Sequence, residues 1–421
     1  MGIFGGGSSA STVSKFSSLN VQTAGYGVAI QVCYGRNRVY PTLGYYTDFA
    51  AHPQSQGGGK GGGGGSSSYT YSATVIYLLC EGAIRNMGKL WKDKQGFATL
   101  ASGGFTFGKT GTYPQDAWGY LVTAHPGDAL GYSGTALVAA SNYDLGNTNS
   151  LGNHSVEIFG RCLSGSSGDQ NYSDCHIKDI IPDFLENEHY GAIDPQIITI
   201  PLRLSAMHDY CAARGILISP LLSAQKPANE YLTEWAMVAN AEIVYSEGHL
   251  SFLPYSDQSF SNDFATYTPD TEIRAHFDDD NTQSPIKPTR KKAADCYNSV
   301  LVEYLNAGNS YNKSTVEYED QASVDFDGLR EMSTLVLDCI KTGLVALRVA
   351  RCEVSKSLYI RNEYEIIAPL DYDFLQPMDF ITASDSVLGL NFTRLRIKAV
   401  EDDGSILTIT AAIAPIGVYS G

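Results

Sequence analysis

Between Tyr69 and Cys80 apolar and polar side chains alternate with a period of two. Tyr69, Tyr71, Ala73, Val75, Tyr77 and Leu79 fall on one face of an extended strand, and the residue types favour a pleated surface. The opposite face starts polar at Thr70, Ser72 and Thr74 and turns apolar at Ile76, Leu78 and Cys80. The spacing therefore predicts a strand that runs from solvent into a core covered on both sides. Glu81-Gly82 breaks it, and Lys89 to Asp93 is expected to return as a second short strand after a polar turn. Upstream, Val28, Ile30, Val32 and Tyr34 alternate with Gly27, Ala29, Gln31 and Cys33, which marks a first strand over 26–34. Residues 94–130 are loop-rich, and 132–140 and 155–160 are expected to be further strands.

After about residue 165 the period changes. Ile177, Ile180, Ile181, Phe184 and Leu185 form the stripe of an amphipathic helix, which accommodates Pro182 if it begins near Asp179. A second helix is expected over 202–214 and ends at Gly215. A third starts at Pro227, carries Tyr231, Leu232 and Trp235, and gives way to a hairpin turning at Glu247-Gly248. Beyond a Ser/Asp/Thr/Pro-rich passage, strands are expected at 299–304, 315–318, 358–368, 379–382, 394–400 and 406–411, with the longest helix at 334–353. The last two strands pair through Glu401-Asp402-Asp403-Gly404.

These elements divide the chain into a flexible Gly/Ser-rich arm (1–20), a first β domain (21–165), an α+β domain (166–256) and a second β domain (257–421). The fold class is a β-rich, multidomain α+β protein. Gly57 to Ser68, GGGKGGGGGSSS, has almost no side chain to bury and is expected to be a mobile loop between two strands.

Composition narrows the function classes. The chain has 29 basic and 45 acidic side chains, a net charge of −16, which argues against a generic nucleic-acid-gripping surface. Eight cysteines show no CxxC and no zinc spacing, so they are expected to be reduced core thiols. The N-terminus lacks the charged start and apolar run of a signal peptide, and no stretch approaches the ~20 apolar residues that span a bilayer. Synthesis in a cytoplasm follows as the expectation.

Candidate chemistry is sparse. Gly103 to Thr110, GGFTFGKT, satisfies the phosphate-loop pattern by letter, but Gly111, Thr112, Tyr113 and Pro114 would break the helix that must follow, so Lys109 is expected to have no phosphate partner. Ser323, Asp325, Asp327 and Gly328 hint at a calcium loop, yet Thr334 stands where a bidentate Glu is needed, and a solvated turn is expected. Asp278 to Asp280, and Glu317, Glu319 and Asp320, could be paired acids, but nothing places two carboxylates around a substrate. No GxSxG or HExxH occurs. Arg290-Lys291-Lys292, the densest basic cluster, is expected at a salt-bridged interface. No residue is assigned to catalysis, to a cofactor or to a metal.

A family resemblance accumulates along the chain. YGRNRVYP at 34–41, YTYSATVIYLLCEG at 69–82, GYSGTALVAASNYDLG at 131–146, IIPDFLENEHYG at 180–191, HDYCAARGILISP at 208–220, SEGHLSFLPY at 246–255 and the run from TRKKAADCYNSVLVEYLN to Arg330 occur in the order of landmarks in the tail-hub proteins of long-tailed bacteriophages. The chain resembles the N-terminal part of the host-specificity tail-tip proteins of the lambda type. The resemblance implies a structural virion protein rather than an enzyme. It would be a homotrimer whose tail-tube-like β-barrel or sandwich domains, two per chain, make a pseudo-sixfold ring at the distal end of the tail. Implied partners are the distal tail protein and tail-tube ring, the C-terminus of the tape measure protein, and tail-tip or fibre proteins, with phage DNA passing through the lumen unbound during ejection into the host cell. The implied location is the virion tail tip or baseplate, assembled in the bacterial host cytoplasm. The acidic excess is expected to face the lumen, and the cationic row Arg394, Arg396 and Lys398 a neighbouring chain. A cell-wall or carbohydrate-active enzyme used at infection and a sugar-binding adhesin are the alternatives.

Overall fold

In a computed structural model describing residues 16–19, 29–54, 68–161, 173–193 and 201–419, the strand expected around Tyr69 spans Ser68–Glu81. It holds the middle of a six-stranded sheet, flanked by Thr42–Gln54, Thr135–Gly146 and, at one end, Val32–Cys33. Phe107–Thr110 and Leu221–Leu222 complete that sheet. Tyr71, Ala73, Val75, Tyr77 and Leu79 are buried in one core, and Ile76 lies in a second with Trp118, Leu121, Leu137 and Ala139. The strand is thus apolar on both sides, as its inner end predicts.

Its outer polar face departs from expectation, because Thr74 is fully buried and Ser72 nearly so. The cause is a bulge in Thr42–Gln54, where Asp48 adopts φ 53° and the register shifts between Thr47 and Ala50. Asp48 accepts hydrogen bonds from Thr74 (2.8 Å) and Tyr120 (2.9 Å) and meets His125 at 2.9 Å. Burial raises the Asp48 pKa, but these bonds outweigh it and the net shift is downward.

The expected return strand forms over Asn86–Lys92 but joins a different sheet, ordered Arg36–Val39, His154–Phe159, Asn86–Lys92 and Gln95–Phe97. Residues 82–85 make the crossing: Gly82 has φ 82°, Ile84 is buried and bonds Thr110, and Arg85 bonds Phe159. Burial of Ile84 overrides the local hairpin. Both sheets feed one core, in which Leu90, Val156 and Ile158 meet Val75 and Tyr77. The expected strand over 26–34 is reduced to Val32–Cys33 plus a bridge from Tyr34 to Arg161; residues 20–28 lie outside the described set. Of the expected arm only 16–19 is described, and there Leu19 is buried and Phe16 packs 5.5 Å from the Tyr71 ring.

The loop expected over Gly57 to Ser68 lies outside the described residues as far as position 67, but its flanks are fixed: Gln54 pairs with Ser68. Chain closure costs grow only as ~(3/2)RT ln n. Shortening the Gly57 to Ser68 segment to four residues is therefore expected to leave the melting temperature nearly unchanged, and a loss of several kcal/mol would show that the segment packs.

His154 sits in the same core, with its Nε2 2.7 Å from the Tyr143 hydroxyl and its ring packed against those of Tyr77 and Phe105. Burial, aided by Lys92, lowers its pKa from 6.5 to about 4. The unfolded chain takes up this proton well before the folded one, so the stabilisation is complete above pH 6.5 and is lost as pH falls toward 4. A shift of this size corresponds to about 3 kcal/mol. Unfolding free energy measured against pH should slope across that window, and His154→Gln should flatten the slope; an unchanged slope would contradict the burial argument.

The chain divides into two compact units, residues to 161 with 221–225, and 162–220 with 226 onward. The second unit therefore takes in both the expected α+β region and the second β region. Its first helix, Ile177–Glu186, buries all five residues of the predicted stripe. It starts two residues before the expected Asp179, so Pro182 lies inside it and leaves the Lys178 carbonyl without its usual helical donor. The second helix is Ser205–Arg214, capped by Gly215 at φ 63°, and Leu202–Arg203, expected to be helical, pairs instead as a strand with Leu250 and Ser251. The third is Ala228–Val238, with Pro227 at its cap. Ala241–Ser246 and His249–Pro254 pair across Glu247-Gly248, both at positive φ, as a two-residue hairpin turn requires.

A six-stranded sheet follows, ordered Ile273–Phe277, Phe380–Asp385, Leu390–Asp402, Leu407–Ile413, Asn362–Ala368 and Lys287–Arg290. The turn of its long hairpin is at Asp403-Gly404, within the expected acidic run. A three-stranded sheet joins Asn312–Glu319, Ser299–Asn306 and Leu335–Val336. The longest helix is Gly343–Tyr359, later than the expected 334–353. Leu335–Val336 is drawn into parallel pairing with Val302 and Glu303, and Leu337 bonds Glu303, so no helix can begin until Thr342. The strand expected from 358 consequently starts at Asn362. Of the described residues 41% are strand and 20% helix, in several sheets, none of them closed, so the barrel form of the expected fold class is not seen among them. The seven described cysteines are all buried.

Candidate functional site

The cationic row on Leu390–Asp402 is the most heavily organised charged feature of the second unit. Arg394 donates from Nη1 to Asp257 Oδ2 at 3.1 Å, and the Asp257 side chain is only 4% exposed. The amide of Gly417 also donates to that carboxylate. Arg396, 5% exposed, donates from Nη1 to the Tyr255 carbonyl at 2.5 Å and lies 4.3 Å from the centre of the Phe380 ring. Lys398 reaches Glu363 at 2.8 Å. Alternation along a strand would put Arg394, Arg396 and Lys398 on one face. The segment around Tyr255 and Asp257, together with Tyr419, covers the two arginines. All three side chains have partners within the chain.

Beside the row lies a cleft of about 390 Å³. One wall comes from the helix Ala228–Val238 and the strand Ala241–Ser246, through Ala236, Met237 and Ile243; another comes from Lys356 and Glu353 of the long helix. Tyr255 and Tyr419 stack 5.2 Å apart at its edge, and the Tyr255 hydroxyl donates to Glu242. Burial, reinforced by Glu242, pushes the Tyr255 phenol well above its ordinary range, and burial lowers the Arg396 pKa. Lys356 pairs with Glu353 at 2.8 Å and lies 5.1 Å from the Tyr255 ring centre. Tyr255 falls within a landmark of the sequence, SEGHLSFLPY, but Asp257 carries no sequence signal, because its partners stand 137 and 160 residues away.

The other sequence candidates are dispersed. Gly103 closes a 3-10 turn and Phe107–Thr110 is a strand, with Lys109 paired to Leu137 and its ammonium 5.7 Å from the Phe107 ring centre; no helix N-terminus is presented there. Gln321–Asp327 is a helix rather than the expected solvated turn, since Asp320 accepts from the Ser323 amide as its N-cap. Asp278 to Asp280 border an open depression completed by Asp385, while Glu317 and Glu319 belong to the other sheet. Several of these acids serve turns: Asp278 accepts from the Asp280 amide, Asp385 from Val387 and Leu388, and Asp403 from Ser405 and Ile406, which lowers the Asp403 pKa. Arg290 ends an exposed edge strand, and Lys291 lines the cleft. No group of three or more His, Cys, Asp or Glu suited to a metal occurs among the described residues, and no described helix is long and apolar enough to cross a membrane.

Comparison with known proteins places this geometry. Residues 227–400 match the family model described as putative phage tail protein, a span that runs from the helix Ala228–Val238 into the strand Leu390–Asp402. No curated protein matches the chain in sequence. Among solved structures, a chain of the virion of a native gene transfer agent particle matches with a TM-score of 0.64 at 16% identity, covering 98% of this chain and 90% of that one. A 43 kDa tail protein of prophage MuSo2 from Shewanella oneidensis matches at 12% identity and TM-score 0.35, covering 90% and 98% respectively. A tail protein from Neisseria meningitidis MC58 matches at 11% identity and TM-score 0.36, covering 88% and 98%. Over residues 227–400 the chain carries the signature of the putative phage tail protein family, and over nearly its whole length it shares the fold of a virion chain.

Proposed function

We propose that this protein is a tail hub, a structural virion protein at the distal end of a phage tail. Three copies form a ring that continues the tail tube, organises the baseplate or tail tip and leaves the channel for DNA ejection. The observation that carries the reading is the fold shared over 98% of the chain with a virion chain, and the family match over 227–400 supports it. The proposed division into β domains over 21–165 and 257–421, separated by an α+β domain over 166–256, would give a trimer six β domains around its axis. The partners proposed with it are the distal tail protein and tube ring, the tape measure C-terminus and tail-tip or fibre proteins.

The role is architectural rather than enzymatic. Of the acids that could have served hydrolysis, Asp278 serves a turn and Asp320 caps a helix, and Asp278 to Asp280 adjoin a different sheet from the one that holds Glu317 and Glu319. With a net charge of −16, the inner wall of the ring is proposed to repel phosphate, so that DNA slides without being held. Sedimentation of the purified protein, alone and mixed with tail extract, tests the assembly: a mass of three chains, incorporated into larger particles, is expected, and a monomer under both conditions would refute it.

A further inference from the structure

We propose that the cleft between the Tyr255–Tyr419 stack and the strand bearing Arg396 is a binding site for a monocarboxylate with an apolar body. Charge pairing in the cleft is incomplete. Glu353 is taken by Lys356, Glu363 by Lys398, and Glu242 by the Tyr255 hydroxyl, while nearby Asp257 is taken by Arg394. Two cations of the lining, Arg396 and Lys291, are left without a carboxylate within bridging distance among the described residues. The cleft thus holds four basic side chains (Lys291, Lys356, Arg396, Lys398) against three acidic ones (Glu242, Glu353, Glu363), a local surplus of one positive charge on a strongly acidic chain.

Arg396 itself is short of acceptors. It is 5% exposed, it donates to the Tyr255 carbonyl, and its Nε is buried without a partner among the described residues. A guanidinium carries five N–H donors in a planar fork, and burying it without a counter-ion is unfavourable. An incoming carboxylate in the cleft supplies the missing counter-charge, the anion a guanidinium pairs with best. The rest of the lining sets the body of the ligand: Ala236, Met237, Ile243, Ile360 and Ile413 are apolar, and a site of about 390 Å³ suits a small molecule or a few residues of chain. The same chemistry is offered by a free aliphatic acid and by the carboxyl end of a polypeptide with an apolar last residue. All the contacts involved lie within one unit of one chain, so the site stands or falls independently of the hub.

The test is calorimetric titration of the full-length protein with three probes: hexanoate, an N-acetylated tripeptide ending in leucine with a free carboxylate, and the same peptide as its C-terminal amide. At least one carboxylate probe should bind saturably, and the amide at least about tenfold more weakly than its acid. Lys291→Ala, at an exposed position, should weaken the acid about threefold to tenfold with no change in melting temperature. Arg396→Met, where circular dichroism shows it folded, should abolish the preference for acid over amide. Tighter binding of the peptide would assign the source to a polypeptide terminus, and tighter binding of hexanoate to a small amphiphile. No saturable binding of either acid, or equal binding of acid and amide, would overturn the proposal.

Discussion

Trp235→Ala is expected to destabilise the second unit by about 3–5 kcal/mol, a large part of the stability of a typical domain. The side chain is fully buried, its ring meets Phe184 edge-on at 5.1 Å, and Tyr231 lies 6.1 Å away on the same helix. Phe184 belongs to the apolar stripe of Ile177–Glu186, so the indole is what ties that helix to Ala228–Val238. Truncation removes the transfer energy of the ring and leaves a void between two helices that cannot both close on it. The indole Nε1 has no hydrogen-bond partner among the described residues, so Trp235→Phe keeps the edge-on contact while removing a buried unsatisfied donor. That variant should cost less than about 1.5 kcal/mol. Denaturant unfolding of the two variants separates the terms, and equal losses would show that the pairing with Phe184 is incidental.

Asp257→Ala carries the second large effect, about 3–5 kcal/mol, the usual result of removing one partner of a buried ion pair. The carboxylate holds Arg394 at 3.1 Å and the Gly417 amide at 3.2 Å, and its side chain is 4% exposed against 19% for Arg394. Its loss leaves Arg394 and Arg396, two residues apart on one strand, with no anion between them and the chain. The double variant Asp257→Ala with Arg394→Met should recover part of the loss, because the unpaired cation, whose guanidinium lies 3.7 Å from the centre of the Phe380 ring, is replaced by an apolar side chain. Equilibrium unfolding measures the cycle. A double variant no more stable than Asp257→Ala would mean that Asp257 acts through the Gly417 loop alone.

What can be read from the sequence is local. The stripe from Ile177 to Leu185, the Glu247-Gly248 turn, Gly215 as a helix cap and the two-sided burial of the strand through Val75 and Ile76 all follow from periodicity or turn chemistry confined to about ten residues. The errors arise where a distant strand competes for a segment. Leu335–Val336 has an apolar pattern compatible with a helix, but pairing with Val302 and Glu303 claims it. Asn86–Lys92 has the spacing of a hairpin return, but the burial of Ile84 carries it to the other sheet. The same limit applies to the cleft. Arg394, Arg396 and Lys398 are visible as an alternating cationic row, whereas the carboxylates and carbonyl that engage them come from Asp257, Tyr255 and Glu363, and nothing in the row indicates those partners.

The family resemblance rests on the order of landmarks across the chain, and the match over 227–400 and the shared virion fold agree with it. The proposed ring is the part that only an assembly can test. A cryo-electron microscopy reconstruction of intact particles containing this protein is the most direct measurement. Three copies are predicted in a closed ring at the distal end of the tail, with an inner wall in which Asp and Glu outnumber Lys and Arg. A single copy, a position away from the tail end, or a wall lined mainly by Lys and Arg would contradict the proposed hub.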